Sequence, residues 1–216
     1  MNTIIRSTFR WLGTTGLFAI PRSYLGRSLA YYYSSKGKFL FDMEKTKGSR
    51  GLEVVRNVKR ETEILMTYPE GFFLYETVRK SEKIEGDVAE VGVFKGGSAK
   101  LIREATQTPL HLFDTFEGLP ELSDKDNPDQ FQKGNFSASL EGVKNYLKEY
   151  RNVYFYKGRF PLTAEPIENK KFSFVNIDVD IYQSTMDCLR FFYPRMSKGG
   201  CMLCHDYLVD GARKAF

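Results

Sequence analysis

The chain has 216 residues, 42% of them hydrophobic and 15% aromatic, which supports one α/β domain with a sizeable core and excludes a disordered chain. Its net charge of +5 is uneven: residues 1–41 hold six basic residues and no acid, so the remainder is nearly neutral and carries no sign of a nucleic-acid-binding core. No apolar run reaches bilayer-spanning length, and three cysteines without framework spacing (Cys188, Cys201, Cys204) fit a reducing cytoplasm rather than a disulfide scaffold.

Residues 1–45 form a basic, aromatic N-terminal segment. It reads as a helical cap or partner-docking arm, or else as an amphipathic stretch making peripheral membrane contact through residues 1–41. Residues 46–86 read as a helical cap over the mouth of the core. Within and just before it, the charged, glycine-spaced stretch 42–59 is expected to be a linker, followed by helix over 60–80 with Pro69 starting a second segment. From Asp87 onward strands and helices alternate. Strand Val88–Gly92 leads through a glycine turn into a helix capped by Ser98. Strand Leu110–Asp114 is followed by a polar, lid-like loop, Thr115–Phe136. Next come helix Ser139–Tyr150 and strands Val153–Tyr156 and Phe172–Asp178. A helix capped by Ser184 or Thr185 must weaken before Pro194. Gly199-Gly200 reads as a turn before the strand Cys201–His205. Cys201 and Cys204, three apart on that strand, face opposite sides and read as core residues, not joint ligands.

This alternation implies a doubly wound, mostly parallel Rossmann-like sheet, residues 87–216, which binds ligands outside the carboxyl ends of its strands at the switch point. If the fourth strand flanks the first, the Gly92–Gly97 turn, Asp114, Asp178, Asp180, His205 and Asp206 meet there. The glycines Gly92, Gly96 and Gly97 let backbone approach an anionic or polar small molecule at a helix N-terminus. Glu90, just before the turn, suits a ligand that is also positively charged. Converging carboxylates imply a cation, a proton or both. A nicotinamide-dependent oxidoreductase fits less well, because Phe94 occupies the place of the second glycine in G-x-G-x-x-G.

Six stretches occur in order: Glu90-Val-Gly-Val-Phe-Lys-Gly-Gly-Ser98, Leu112-Phe-Asp-Thr-Phe-Glu-Gly-Leu-Pro120, Gly158-Arg-Phe-Pro161, Ile177-Asp-Val-Asp-Ile-Tyr-Gln-Ser-Thr185, Tyr193-Pro-Arg-Met-Ser-Lys-Gly-Gly200 and His205-Asp-Tyr207. Together, over roughly residues 60–216, the chain resembles the TylF/MycF/NovP (macrocin O-methyltransferase) family. The resemblance implies a class I O-methyltransferase that uses S-adenosylmethionine and a divalent cation to methylate a sugar hydroxyl of a glycoside, glycan or secondary metabolite. It further implies that Glu90, Gly92, Gly96, Gly97 and Ser98 hold the methionine end of the cofactor, that Asp114 binds the ribose, and that Ser137 or Ser139, with Gly158, lies near the adenosine. Asp178, His205 and Asp206 would bind Mg²⁺, and Asp180 would be the catalytic base. The chain departs from the family's Asp-Asp-Tyr at His205-Asp-Tyr207, and histidine shifts the expected ion toward Mn²⁺. The family's sheet also continues with two further strands after Phe216. Two alternatives stay open: a homo-oligomer, and a non-catalytic, membrane-apposed binding module that keeps the fold.

Overall fold

The computed structural model describes residues 48–216, so the readings attached to the N-terminal segment 1–45 lie outside the described residues. The first described helix, α1 (Arg50–Glu61), starts at Ser49, whose hydroxyl accepts the Leu52 N–H. It corrects the expectation of a linker here. Its charges share one face, while Leu52, Val55 and Val58 are fully buried on the other, which stabilises a helix despite the polar composition. Helix α2 (Tyr68–Ser81) opens with a capping box: the Glu70 carboxylate accepts the Thr67 N–H at 2.7 Å and the Thr67 hydroxyl accepts the Glu70 N–H. Pro69 sits in its first turn, where a missing N–H costs nothing.

Five strands follow: β1 (Asp87–Val91), β2 (Leu110–Asp114), β3 (Val153–Lys157), β4 (Phe172–Ile177) and β5 (Met196–Cys204). All neighbours pair parallel, in the order β3-β2-β1-β4-β5. The helices between and after them are α3 (Gly97–Ala105), α4 (Leu140–Tyr146), α5 (Tyr182–Phe192) and α6 (Asp210–Ala215). Val88, Leu110, Leu112 and Phe174 pack on one face of the sheet with α1, α2 and α3. Ala89, Val91, Phe113, Val175 and Ile177 pack on the other with Phe160, Cys188 and Phe192. Burial on both faces explains why these strands read as nearly continuous apolar runs. The chain winds outward from β1 through β2 to β3, then returns to lay β4 against the other side of β1. That reversal makes the carboxyl end of the β1/β4 pair the switch point.

Four local expectations are corrected. Strand β5 begins at Met196 and runs through Gly199-Gly200: Phe172 pairs with Met196 and Phe174 with Cys201, so the glycines form an irregularity inside the strand, with Gly199 at φ +86°. Helix α3 takes Gly96, at φ +81°, as its N-cap, leaving Ser98 inside the first turn. Helix α4 ends at Tyr146, short of Tyr150. Helix α5 starts at Tyr182, and Thr185 merely donates back to the Ile181 carbonyl at 2.8 Å. Its first N–H is satisfied from a distance, by Asp126 Oδ1 of the Thr115–Phe136 loop at 2.7 Å. No helix among the described residues is long and apolar enough to cross a membrane.

Candidate active site

The carboxyl ends of β1, β2, β4 and β5 are laced together by backbone hydrogen bonds, among them Gly92 N to Phe113 O, Asp178 N to Val91 O and His205 N to Ile177 O, at 2.9 to 3.0 Å. Gly92 is obligatory at this junction. It sits at φ +89°, and a Cβ there would fall 1.7 Å from the Asp178 carbonyl oxygen. Above the junction lies an open cavity. Gly92, Gly97 and Ser98 line it from β1 and α3, Asp114 from β2, Gly158 after β3, Asp178 and Asp180 after β4, and His205 and Asp206 after β5.

The turn itself is braced by Asp114. Its Oδ2 accepts the N–H groups of Val93 (2.7 Å) and Phe94 (2.9 Å), and its Oδ1 accepts that of Phe116 (2.7 Å). Oδ2 thus takes two short bonds, while the second donor near Oδ1, the Thr115 hydroxyl, stands at 3.5 Å and bonds the Gly118 carbonyl at 2.8 Å instead, which leaves Oδ1 the freer oxygen. No side chain caps α3, and its first residues, Gly97 and Ser98, line the cavity.

Glu90 lies beneath this floor, fully buried and outside the cavity lining. Its Oε1 accepts from Asn176 Nδ2 at 2.8 Å, across the β1/β4 pairing of the same two residues, while Oε2 makes no well-formed hydrogen bond, the Ser98 hydroxyl standing near without completing one. Burial pushes its pKa up to about 8, against the pull of Asn176 and the Ser98 hydroxyl. A buried carboxylate with an orphaned oxygen fits a site that receives a cationic group.

On the β4/β5 side of the cavity, next to the glycine turn, one ligand atom from each of Asp178, His205 and Asp206 lies within 4.8 Å of the others. His205 Nδ1 stands 2.9 Å from Asp206 Oδ1 and 3.2 Å from Asp178 Oδ1. Burial opposes charge on this imidazole, but its hydrogen bonds to Asp178 and Asp206 outweigh that and raise its pKa. The proton between the acids thus stands where a cation could. Asp180 lies at φ +59°, donating its N–H to Asp206 Oδ2 at 3.0 Å. Burial first, then the charges of Asp206 and Asp178, push its pKa up to about 8. Burial likewise raises Asp178, to about 6.

Besides Glu90 beneath the floor, two expected residues are not brought to the cavity. Ser137 is exposed and outside the lining, because the loop turns away after Phe136 to let Ser139 cap α4. Gly96 faces α4, with Val143 3.0 Å from its would-be Cβ. Several residues that line the cavity were not singled out as site residues: Phe94, Arg159, Phe136 of the expected lid-like loop, and Glu63–Met66 of the expected helical cap. That segment joins α1 to α2 and is pinned over α3 by Lys59, which donates to the Met66 carbonyl. Phe94 and Phe136 stack edge-on at 6.1 Å between ring centroids, tying the loop to the turn. Phe94, Phe136 and Asp180 in the lining and Phe116 just beyond it hold positive φ (48°, 61°, 59°, 56°), four of the five non-glycine residues among the described ones that do so; the fifth, Asn152, lies just before β3. Position in the chain gives no signal for these aromatics. Asn176, by contrast, was legible as the one polar side chain near the end of the apolar run Phe172–Ile177.

Residues 74–216, well over half of the chain, match the family described as Macrocin-O-methyltransferase (TylF). The chain belongs to the macrocin O-methyltransferase (TylF) family. Among its relatives, the 8-demethyl-8-(2,3-dimethoxy-alpha-L-rhamnosyl)-tetracenomycin-C 4'-O-methyltransferase of Streptomyces olivaceus is 30% identical over 66% of this chain and 60% of its own length. Mycinamicin III 3''-O-methyltransferase of Micromonospora griseorubida is 29% identical over 61% of this chain and 59% of its own length. The chain therefore spans about 60% of the length of these relatives. Two solved structures share the fold: the O-methyltransferase NovP (TM-score 0.56, 24% identity, 68% of this chain and 70% of that one) and the calicheamicin methyltransferase CalS11 (TM-score 0.57, 18% identity, 78% and 83%). The TylF-family match spans every strand of the sheet and every residue that the strand ends bring to the cavity.

Proposed function

We propose that this TylF-family chain is an S-adenosylmethionine-dependent O-methyltransferase acting on a sugar hydroxyl, assisted by a divalent cation. The observation that carries this reading is the shared cavity. An uncapped helix start lines it with a buried carboxylate beneath its floor, and a cluster of two acids and a histidine lines it alongside.

The residues fit the cofactor. The N-terminus of α3 would take its carboxylate, Glu90 would balance its ammonium from below, and Asp114 Oδ1 would accept a ribose hydroxyl. Phe94 and Phe136 offer aromatic faces along the same wall. When bound, S-adenosylmethionine supplies a methyl group already on a good leaving group, so the chain's task is to align the acceptor and exclude water.

The donor set fits a divalent ion of intermediate hardness, held by Asp178, His205 and Asp206. Such an ion acts as a Lewis acid that acidifies a bound hydroxyl. Asp180, beside the same cluster, would take the hydroxyl proton once a cation offsets the charges of Asp206 and Asp178 that hold its pKa up and lets it ionise. The acceptor class rests on the names of the relatives, which methylate sugars of glycosylated natural products.

The test is transfer of labelled methyl from S-adenosylmethionine to glycoside acceptors, with and without chelator. The expected result is cation-dependent transfer, lost in Asp180→Asn. Calorimetry separates the steps: Asp114→Ala, which releases the turn, should abolish cofactor binding. A wild-type chain that binds neither cofactor nor cation would overturn the reading.

A further inference from the structure

Helix α2 reaches the acid cluster from outside the cavity. Glu70, in its first turn, lies with Oε2 3.8 Å from His205 Nε2. That is ion-pair distance and too long for a hydrogen bond. Nε2 is buried and has no partner. It faces a small recess lined by Met66, Glu70, Phe73, Leu74, Leu203 and Cys204, in which the Glu70 carboxylate is the strong side-chain acceptor. Glu70 Oε2 already accepts from the Thr67 N–H and hydroxyl, both at 2.7 Å, while Oε1 accepts nothing among the described residues.

An imidazole nitrogen binds a cation only when it carries no proton. If Nδ1, now between Asp178 and Asp206, turns to an ion, the remaining proton must reside on Nε2. That N–H then needs an acceptor in a nearly apolar recess. We propose that Glu70 is a positioning residue for the cation site: it accepts the Nε2–H of His205 and so fixes the imidazole with Nδ1 toward the ion. The inference rests on the cation reading above. It deepens that reading by making helix α2 part of the site, since the carboxylate that completes the capping box also sets the histidine. A bond of normal length needs about 1 Å of movement by a half-exposed carboxylate with a free oxygen, well within side-chain reach.

The experiment is a Mn²⁺ titration of the full chain, reading free Mn²⁺ by electron paramagnetic resonance. Glu70→Gln should weaken Mn²⁺ binding about 10- to 100-fold, as loss of an outer-shell carboxylate does. Thr67→Ala breaks the capping box but leaves the carboxylate, and should stay close to wild type. In a His205→Asp background, Glu70→Gln should have no further effect, because there is no imidazole left to orient. Unchanged affinity in Glu70→Gln, or an equal loss in the His205→Asp background, overturns the proposal and leaves the cation reading standing. Failure of the wild type to bind Mn²⁺ overturns both. Should Glu70→Gln not fold, ¹⁵N shifts of His205 in the Mg²⁺-loaded wild type decide: Nε2 protonated with Nδ1 ligated supports the proposal, and the reverse tautomer overturns it.

Discussion

Glu90→Gln separates the binding role of the buried acid from its structural role. Glutamine keeps the length of the side chain and an oxygen to accept from Asn176, which now donates at 2.8 Å. It removes only the charge. With its pKa at about 8, the wild-type side chain is mostly neutral at pH 7 without ligand, so folding at that pH should change by no more than about 1 kcal/mol. Ligand binding should change far more. A unit cation within about 6 Å of an ionised Glu90 gains about 3 kcal/mol at an effective dielectric of about 20, which is roughly 100-fold in affinity. Calorimetry with S-adenosylhomocysteine at pH 8.5 should show that loss in the variant. The pH dependence has a definite sign. The folded pKa is raised, so Glu90 is neutral below about 8, and wild-type affinity should climb as pH rises toward that value while the variant stays flat. For the same reason, the part of stability that depends on a neutral Glu90 is lost as pH rises through that range, and the variant should escape this loss. Equal affinities at pH 8.5, or parallel pH profiles, would refute the assignment of Glu90 to the ligand's cationic group.

Gly92→Ala should cost more than about 3 kcal/mol in a urea melt, because the new Cβ meets a backbone carbonyl oxygen that has no side chain to swing aside, and φ is positive; near-wild-type stability would contradict the close approach of β1 and β4. Asp126→Ala removes the acceptor for the Tyr182 and Ser123 N–H groups and should cost about 1–3 kcal/mol while exposing the 115–136 loop to limited proteolysis. His111 is held neutral by burial, against the pull of Asp87, with its Nε2 2.9 Å from Asp87 and its Nδ1 2.9 Å from the Tyr156 hydroxyl. Its folded pKa is therefore lowered, the unfolded state binds the extra proton, and stability should fall as pH drops below about 6.5. His111→Gln should show a weaker acid dependence in thermal melts over that range.

Much of this site was legible because its parts sit at strand ends, where topology alone fixes their meeting. The parallel sheet brings Gly92, Asp114, Asp178, His205 and Asp206 to one cavity, as the strand-helix alternation required. What was missed depends on contacts distant in sequence. Helix α1 looked like a linker because its charge concealed a single buried stripe. The cap of α5 could not be found locally, since Asp126 supplies it from 56 residues away. Ser137 was carried over by resemblance, but the loop path after Phe136 exposes it. Glu70 went unread, because nothing in the sequence of α2 announces that β5 ends beside it.

The most direct test of the account is magnetic: methyl-labelled ¹³C-S-adenosylmethionine bound to the full chain, titrated with Mn²⁺. If the glycine turn holds the cofactor and Asp178, His205 and Asp206 hold the ion in one cavity, the bound methyl resonance should broaden strongly and recover when Mg²⁺ displaces Mn²⁺. A methyl signal that stays sharp while calorimetry shows both ligands bound would contradict the shared cavity on which the proposed chemistry stands.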